Sequence, residues 1–379
     1  MSTPTNIMLE PFLTLSKAVG RDKRAENSAL DMVSSEAIRW LLANSGPSIR
    51  FQILVDLLQD QDVGRVSSAL AELLTSPMVS DWMNRLTPGF QMKHLHSSEP
   101  EAFENTMGKL GELGLRAGLQ PFDSKTLPFR AWLTDTAEEE IEHPFHVFLR
   151  TIVASFLSFT GYSSTEPVYN MLTERLEAIY SFARSPDFAG VYVGKRGNDS
   201  LVNPRLYLDQ RFVLPWIHDL RGFASSDQIL SDLDLRQKVE TVVSMVLKPE
   251  YQELQPGYGF MKYRDRGYKI GWSAHLPGFT SEPSDASMSN VLLILPIMAP
   301  FKTARRSEWF RRMMEKLEAC ATEYETYQFP REWLPEKQEG YWVNGAYMAL
   351  EENRRESSAI ESESTFRMFR IKHLMERLP

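Results

Sequence analysis

Few side chains in this sequence are spaced so that they could do chemistry together, and each grouping has a plain structural reading beside the chemical one. Seven histidines, His94, His96, His143, His146, His218, His275 and His373, include two close pairs. One pair is separated by a single residue and the other by two, which is not the four-residue helical interval of a metal-binding pair. Ordinary core or surface histidines are the simpler reading. No G-x-S-x-G elbow, phosphate-cradling Gly-rich loop or H-E-x-x-H motif is present. Cys320 lies in the helix-like run 309–324 and reads as a packed thiol. Glu138, Glu139, Glu140 and Glu142 have a spacing that can hold Mg2+ and, through it, a diphosphate. Preceded by Thr134, Asp135 and Thr136, they read equally as first-turn acids that favour a helix dipole. Asp232-Leu233-Asp234 and the set Asn170, Thr173, Glu177 have suitable residue types but complete no metal-binding or proton-donating motif.

The segment 287–302, SMSNVLLILPIMAPFK, is the most suggestive. Asn290, Ile294, Met298 and Lys302 recur at every fourth position, a single helical stripe with an amide at one end and an ammonium at the other. Such a stripe suits a pocket that grips a polar head above an apolar body. The structural alternative is a core helix bent at Pro296 whose Lys302 reaches out to solvent.

The elements that must position these residues are helical almost throughout. The run 34–42 places Ile38, Leu41 and Leu42 on one side, and Asn44-Ser45-Gly46-Pro47 then breaks the chain. Pro47 suits the first turn of a second helix striped by Ile49, Ile53, Leu54, Leu57 and Leu58. Helical patterns follow at 63–74, 78–86, 102–115, 144–159, 168–182, 204–223 and 228–247, whereas 190–193 is the best strand candidate. Two stretches differ: 255–283, dense in glycine and aromatic residues, and 324–355, also aromatic-rich. Aromatic density marks both as ordered, and connections this long are usually functional. Residues 1–33 read as a loose arm, 34–379 as one helical unit, and the Ser/Glu-rich 356–364 as a surface turn before a last helix.

Composition narrows the function classes. The 379 residues carry a net charge of −8 and one cysteine, which excludes a disulfide framework and a cysteine zinc site. An acidic balance argues against nucleic acid as a partner. No apolar run approaches the roughly 20 residues of a membrane helix, and the N-terminus lacks a secretory pattern, so a cytoplasmic protein is expected.

The segment Ser48-Ile49-Arg50-Phe51-Gln52-Ile53-Leu54-Val55-Asp56-Leu57-Leu58, preceded by Trp40-Leu41-Leu42, resembles proteins related to the squalene-cyclase and prenyltransferase helical barrels. The stretches GKLGELGLR from Gly108 to Arg116, Pro256-Gly257-Tyr258-Gly259, Gly271-Trp272-Ser273-Ala274-His275-Leu276-Pro277-Gly278 and Gly340-Tyr341-Trp342-Val343-Asn344-Gly345-Ala346-Tyr347-Met348 join them. Together they resemble an unorthodox fungal family of sesquiterpene cyclases, the humulene synthases of tropolone sesquiterpenoid pathways. The squalene-type Q-x-x-x-G-x-W repeats and D-x-D-D acid are missing, as is D-D-x-x-D.

The resemblance implies an all-α fold, an α/α barrel or toroid of stacked helical hairpins. It implies a lyase that ionises farnesyl diphosphate with Mg2+ and an essential lysine, releasing a macrocyclic hydrocarbon such as humulene. That lysine falls on Lys302, with Met298 one turn earlier shaping the cavity and Lys269 as the competing placement. Asn290, Trp272, His275, Trp342 and Asn344 are the further substrate-binding candidates. Metal ligands are not matched, and the oligomeric state, monomer or homodimer, stays open. Two other classes remain: a helical-barrel carbohydrate-active enzyme with two carboxylates across an aromatic cleft, and a non-catalytic helical scaffold that binds a protein on a concave face.

Overall fold

Helix pairs joined by short breaks dominate the computed structural model, which describes residues 36–137, 144–208 and 211–377. The first hairpin is α1 (Glu36–Asn44) and α2 (Pro47–Gln52), with Pro47 in the first turn as its fixed φ favours. A π turn, Ile53–Leu57, extends α2. Then come α3 (Val63–Thr75), α4 (Pro77–Arg85), α5 (Met92–Leu95), α6 (Phe103–Glu112), α7 (Gln120–Asp135), α8 (Pro144–Leu157), α9 (Glu166–Ala183), α10 (Ile217–Ala224), α11 (Asp227–Ser231), α12 (Leu233–Val246) and α13 (Pro249–Gln252). The C-terminal part holds α14 (Asp285–Met298), α15 (Lys302–Arg305), α16 (Glu308–Glu318) and α17 (Ala359–Glu376). One contiguous apolar core runs from Ile38 to Ile371.

The expectation of an all-α chain needs one correction. Strands β1 (Tyr192–Arg196), β2 (Asp199–Val202), β3 (Phe260–Tyr263) and β4 (Arg266–Lys269) form a small sheet in the order β1-β2-β3-β4. Two antiparallel hairpins are joined by a parallel contact at Leu201 and Phe260. The sheet orders much of the aromatic 255–283 stretch. The helix expected over 204–223 is also corrected: a short turn spans Pro204–Leu206, residues 211–216 are not helical, and α10 begins at Ile217. Arg211 and Phe212 have positive φ, which a right-handed helix does not accommodate, and buried Arg175 donates to both of their carbonyls, each at 2.7 Å.

Helix α6 is the structural axis, with nine of its ten residues buried. Most of its polar members are satisfied individually, Glu104 Oε1 being without a hydrogen bond. Asn105 donates to the carbonyls of Ser97, Glu99 and Gly340 and accepts the backbone N–H of Trp342, which ties three segments to the helix. Buried Lys109 reaches Glu336 and two backbone carbonyls. Gly108 and Gly111 let large rings approach: a Cβ would collide with Trp342 at the first and with Phe159 at the second. The Ser/Glu-rich segment expected as a surface turn instead enters α17, where Ser362, Glu363 and Ser364 are fully buried. Glu363 accepts the backbone N–H groups of Leu350 and Glu351 and pairs with Arg354.

Candidate functional site

A cavity of about 600 Å³ opens at the C-terminal end of α6. The π turn Ile53–Leu57 lies on its wall and contributes Asp56 and Leu57, and the kink at Ser158–Tyr162, with Gly161 at φ +91°, contributes Ser158, Phe159 and Gly161. A π turn re-aims side chains by one residue and is frequent at functional sites. Helix α14 supplies Leu293, Pro296 and Ile297 as apolar wall. Helix α17 contributes Phe366, Arg370, His373, Leu374 and Arg377, spaced as one helical face.

Charges around the cavity are matched in pairs with one exception. Arg116 grips Asp56 with two hydrogen bonds of 2.5 and 2.9 Å. Glu112, at the last turn of α6, accepts from Arg367 at 2.9 Å on one oxygen and from Arg370 at 3.0 Å on the other. Burial alone would raise the Glu112 carboxyl, but Arg370, Arg367 and Arg221 bring it down to about 2. Arg377 pairs with Asp227 at the rim. Arg221, on α10, has no carboxylate within ion-pair distance among the described residues and its Nε has no hydrogen-bond partner. Its guanidinium lies 4.1 Å from the Trp342 ring centre and 5.0 Å from that of Phe159. Burial pulls its proton affinity down to about 9, with Arg370 adding to the fall and Glu112 and Glu104 opposing it, so it remains charged at neutral pH. Stacking on indole partly replaces the lost water, and Glu112, already bonded to Arg367 and Arg370, is the nearest compensating carboxylate, so the guanidinium faces the cavity with no ion pair of its own.

A second polar cluster occupies the other end of α6. Glu104 accepts from His96 Nδ1 and lies 3.4 Å from His218 Nε2. Trp272 donates its indole N–H to His96 Nε2 at 2.6 Å, which fixes that imidazole as the Nδ1–H tautomer. Burial pushes Glu104 up, but the two imidazoles outweigh it and hold the carboxyl at about 2. Tyr341 stacks beside His96 and Trp272, at ring distances of 4.9 and 4.6 Å. The two aromatic-rich stretches of the sequence therefore converge here, but their rings fill the space between them.

Most of the residues expected from sequence lie away from the cavity. Lys302 is exposed and opens α15, while α14 ends at Met298, so the four-residue stripe is split between two helices. Its placement as a cavity lysine is corrected accordingly. Met298 is fully buried and Asn290 half-buried, and the face of α14 that meets the cavity is the neighbouring one. Lys269 is exposed at the end of β4. His275 is a structural bridge between Ser273 Oγ at 2.6 Å and the Leu254 carbonyl at 2.8 Å. Trp272 belongs to the His96 cluster, and Asn344 is exposed. Trp342 is the member of the expected set that does touch the site, as the platform beneath Arg221.

A metal held by the protein does not fit these residues. Among the described residues no three His, Cys, Asp or Glu side chains are grouped to hold an ion. The cavity carboxylates Glu112 and Asp56 are already engaged by arginines. Asn170, Thr173 and Glu177 are not assembled either: Thr173 bonds its own helix and Glu177 pairs with Lys238. The acidic run 138–142 lies outside the described residues, as does the arm expected over 1–33. Among the described residues no helix is long and apolar enough to cross a membrane.

Sequence reasoning missed Arg221, Arg370 and Glu112. The available signals were a charged triplet inside the apolar run WIHDLRGF and the interval joining Phe366, Arg370, His373 and Arg377. No protein-family model, curated protein or solved structure matches the chain.

Proposed function

We propose that the chain is a terpene cyclase that binds an allylic isoprenoid diphosphate, such as farnesyl diphosphate, in the cavity beside Arg221. On this reading the helix pairs close round α6 as an α/α toroid. The observation that carries it is the buried guanidinium of Arg221, which holds no ion pair of its own, on a cavity wall that combines apolar side chains, neutral polar ones such as Gln52, Ser158 and Gln228, and ion pairs. An uncompensated buried charge is costly unless a ligand neutralises it. A diphosphate head on Arg221 and an isoprenoid body against Phe159, Leu293, Ile297 and Phe366 would satisfy both parts of the wall. The volume lies within the range of ligand pockets, about 300–1,000 Å³.

The chemistry follows from the charge. Heterolysis of the allylic C–O bond leaves the electron pair on diphosphate, and a preorganised cation beside the leaving group stabilises that developing charge. The carbocation then meets aromatic faces and apolar side chains, which cyclise it away from water. Guanidinium takes the role the sequence assigned to Lys302. A divalent cation would enter as the salt of the diphosphate. A glycosidase reading is less well supported, because Glu112 and Asp56 have both oxygens engaged. The test is incubation of the purified protein with farnesyl diphosphate, with and without Mg2+, while diphosphate release and volatile hydrocarbon are measured. Release of both supports the proposal. Neither product under either condition refutes it.

A further inference from the structure

A cyclised carbocation becomes a neutral olefin only when a neighbouring C–H bond gives up its proton, so the cavity must supply a base or leave that task to the departing diphosphate. The basic lone pairs on its wall can be taken in turn. Both oxygens of Asp56 accept from Arg116, and both of Glu112 accept from Arg367 and Arg370. Asp60 is engaged by Arg65 and by the backbone N–H of Asp62. Asp227 pairs with Arg377 at the exposed rim. His373 is different: it lines the cavity from α17, one turn beyond Arg370, and makes no hydrogen bond to a described residue.

We propose that His373 is the proton acceptor of this cavity and takes the proton that the cyclised cation loses. The inference rests on the cavity being an allylic diphosphate site. The C–O bond breaks with its electron pair leaving on diphosphate at Arg221. After ring closure a C–H bond adjacent to the cationic carbon breaks, its electron pair forms the new C=C bond, and the proton moves to a ring nitrogen of His373. The imidazolium so formed faces Asp56 from the π turn and Glu376 from its own helix, which favour it. Arg370, Arg377 and Arg116 are the cations nearby; Arg377 and Arg116 pair with Asp227 and Asp56, and Arg370 shares Glu112 with Arg367. Burial holds the free imidazole below its usual proton affinity, so it is neutral and ready to accept at pH 7.

The experiment compares wild type, H373Q and H373N with farnesyl diphosphate, measuring diphosphate release and the ratio of hydrocarbon to alcohol products. Ionisation precedes proton loss, so the diagnostic readout is the product ratio per diphosphate released, not the rate of release. The alcohol fraction should rise by about tenfold or more, as water captures cations that find no base. The wild-type hydrocarbon fraction should also fall on acidification as the imidazole protonates, a dependence both variants lose; this wild-type profile stands even where a variant does not fold. Wild-type product patterns in H373Q, or a hydrocarbon fraction independent of pH in the wild type, overturn the inference and leave diphosphate as the base. A wild type that releases no diphosphate overturns the cavity reading, and this inference with it.

Discussion

Arg221 makes opposite demands on stability and on binding, and that opposition is measurable. Replacing it with methionine removes an unmatched buried charge while keeping an unbranched side chain to fill the space over Trp342. R221M should be at least as stable as wild type, by about 1–3 kcal/mol at most, because Glu112 keeps Arg367 and Arg370 as its bonded partners. Its affinity for inorganic diphosphate, measured by calorimetry, should drop by about tenfold or more, since a charge-assisted hydrogen bond to a desolvated cation is lost. A destabilised R221M that still binds diphosphate would show that Arg221 is structural. Glu112 should behave in the reverse manner. E112Q leaves Arg367 and Arg370 without a counter-charge, and denaturant unfolding should show a loss of about 3–5 kcal/mol. None of this was legible in the sequence, where Glu112 and Arg221 stand 109 positions apart.

At the scale of elements, α6 depends on two glycines that a propensity argument would mark as weaknesses. Gly108 has an ordinary helical backbone, and what it provides is room for Trp342. G108A should cost about 1–3 kcal/mol through overpacking, although alanine is the better helix former. Near-ultraviolet circular dichroism should report a displaced tryptophan, and a more stable G108A would contradict the packing described. The first hairpin has its own electrostatic tie: both Glu351 oxygens accept the backbone N–H of Gly46, the N-cap of α2. Burial, with Glu363 and Glu356 nearby, pushes the Glu351 carboxyl up to about 7. The folded state therefore holds that proton more tightly than the unfolded chain. Stability should fall as pH rises from about 4.5 to about 7, by about 3 kcal/mol or less. E351Q should remove that slope in pH-dependent urea unfolding. The sequence did indicate this hairpin, because Gly46-Pro47 is a local break signal, but the partner 305 residues away is a tertiary fact.

For the whole molecule, acid should unfold the chain from its interior outward. Glu104 and Glu112, at opposite ends of α6, are both held at about 2, below the ordinary glutamate value of 4.5. Their contribution is fully present above about pH 4.5 and is lost as pH falls towards 2. Combined with the opposite slope from Glu351, this places maximum stability near about pH 5. Thermal unfolding across pH 2–8 checks it, and a midpoint unchanged between pH 5 and 3 would remove the buried carboxylates from the account.

The sequence by itself determined that the chain is mostly helical, where the first hairpin breaks, and that 255–283 and 324–355 are ordered. Local spacing, breaker residues and aromatic density carry that information, because helix formation is a matter of neighbours three and four apart. It could not determine which charges go inside. Ser362 and Glu363 read as a surface turn, yet they are buried, with Glu363 bonded to Leu350 and Arg354, while Arg370 of the same helix finds Glu112, 258 positions away. Lys302 met the local requirement for a site residue, yet the chain turns at Ala299–Phe301 and sends it to solvent, whereas Arg221 and His373 line one cavity only because the fold brings α10 and α17 to its wall. Pairing energy between buried charges is set by distance and desolvation, and both of those belong to the tertiary structure alone.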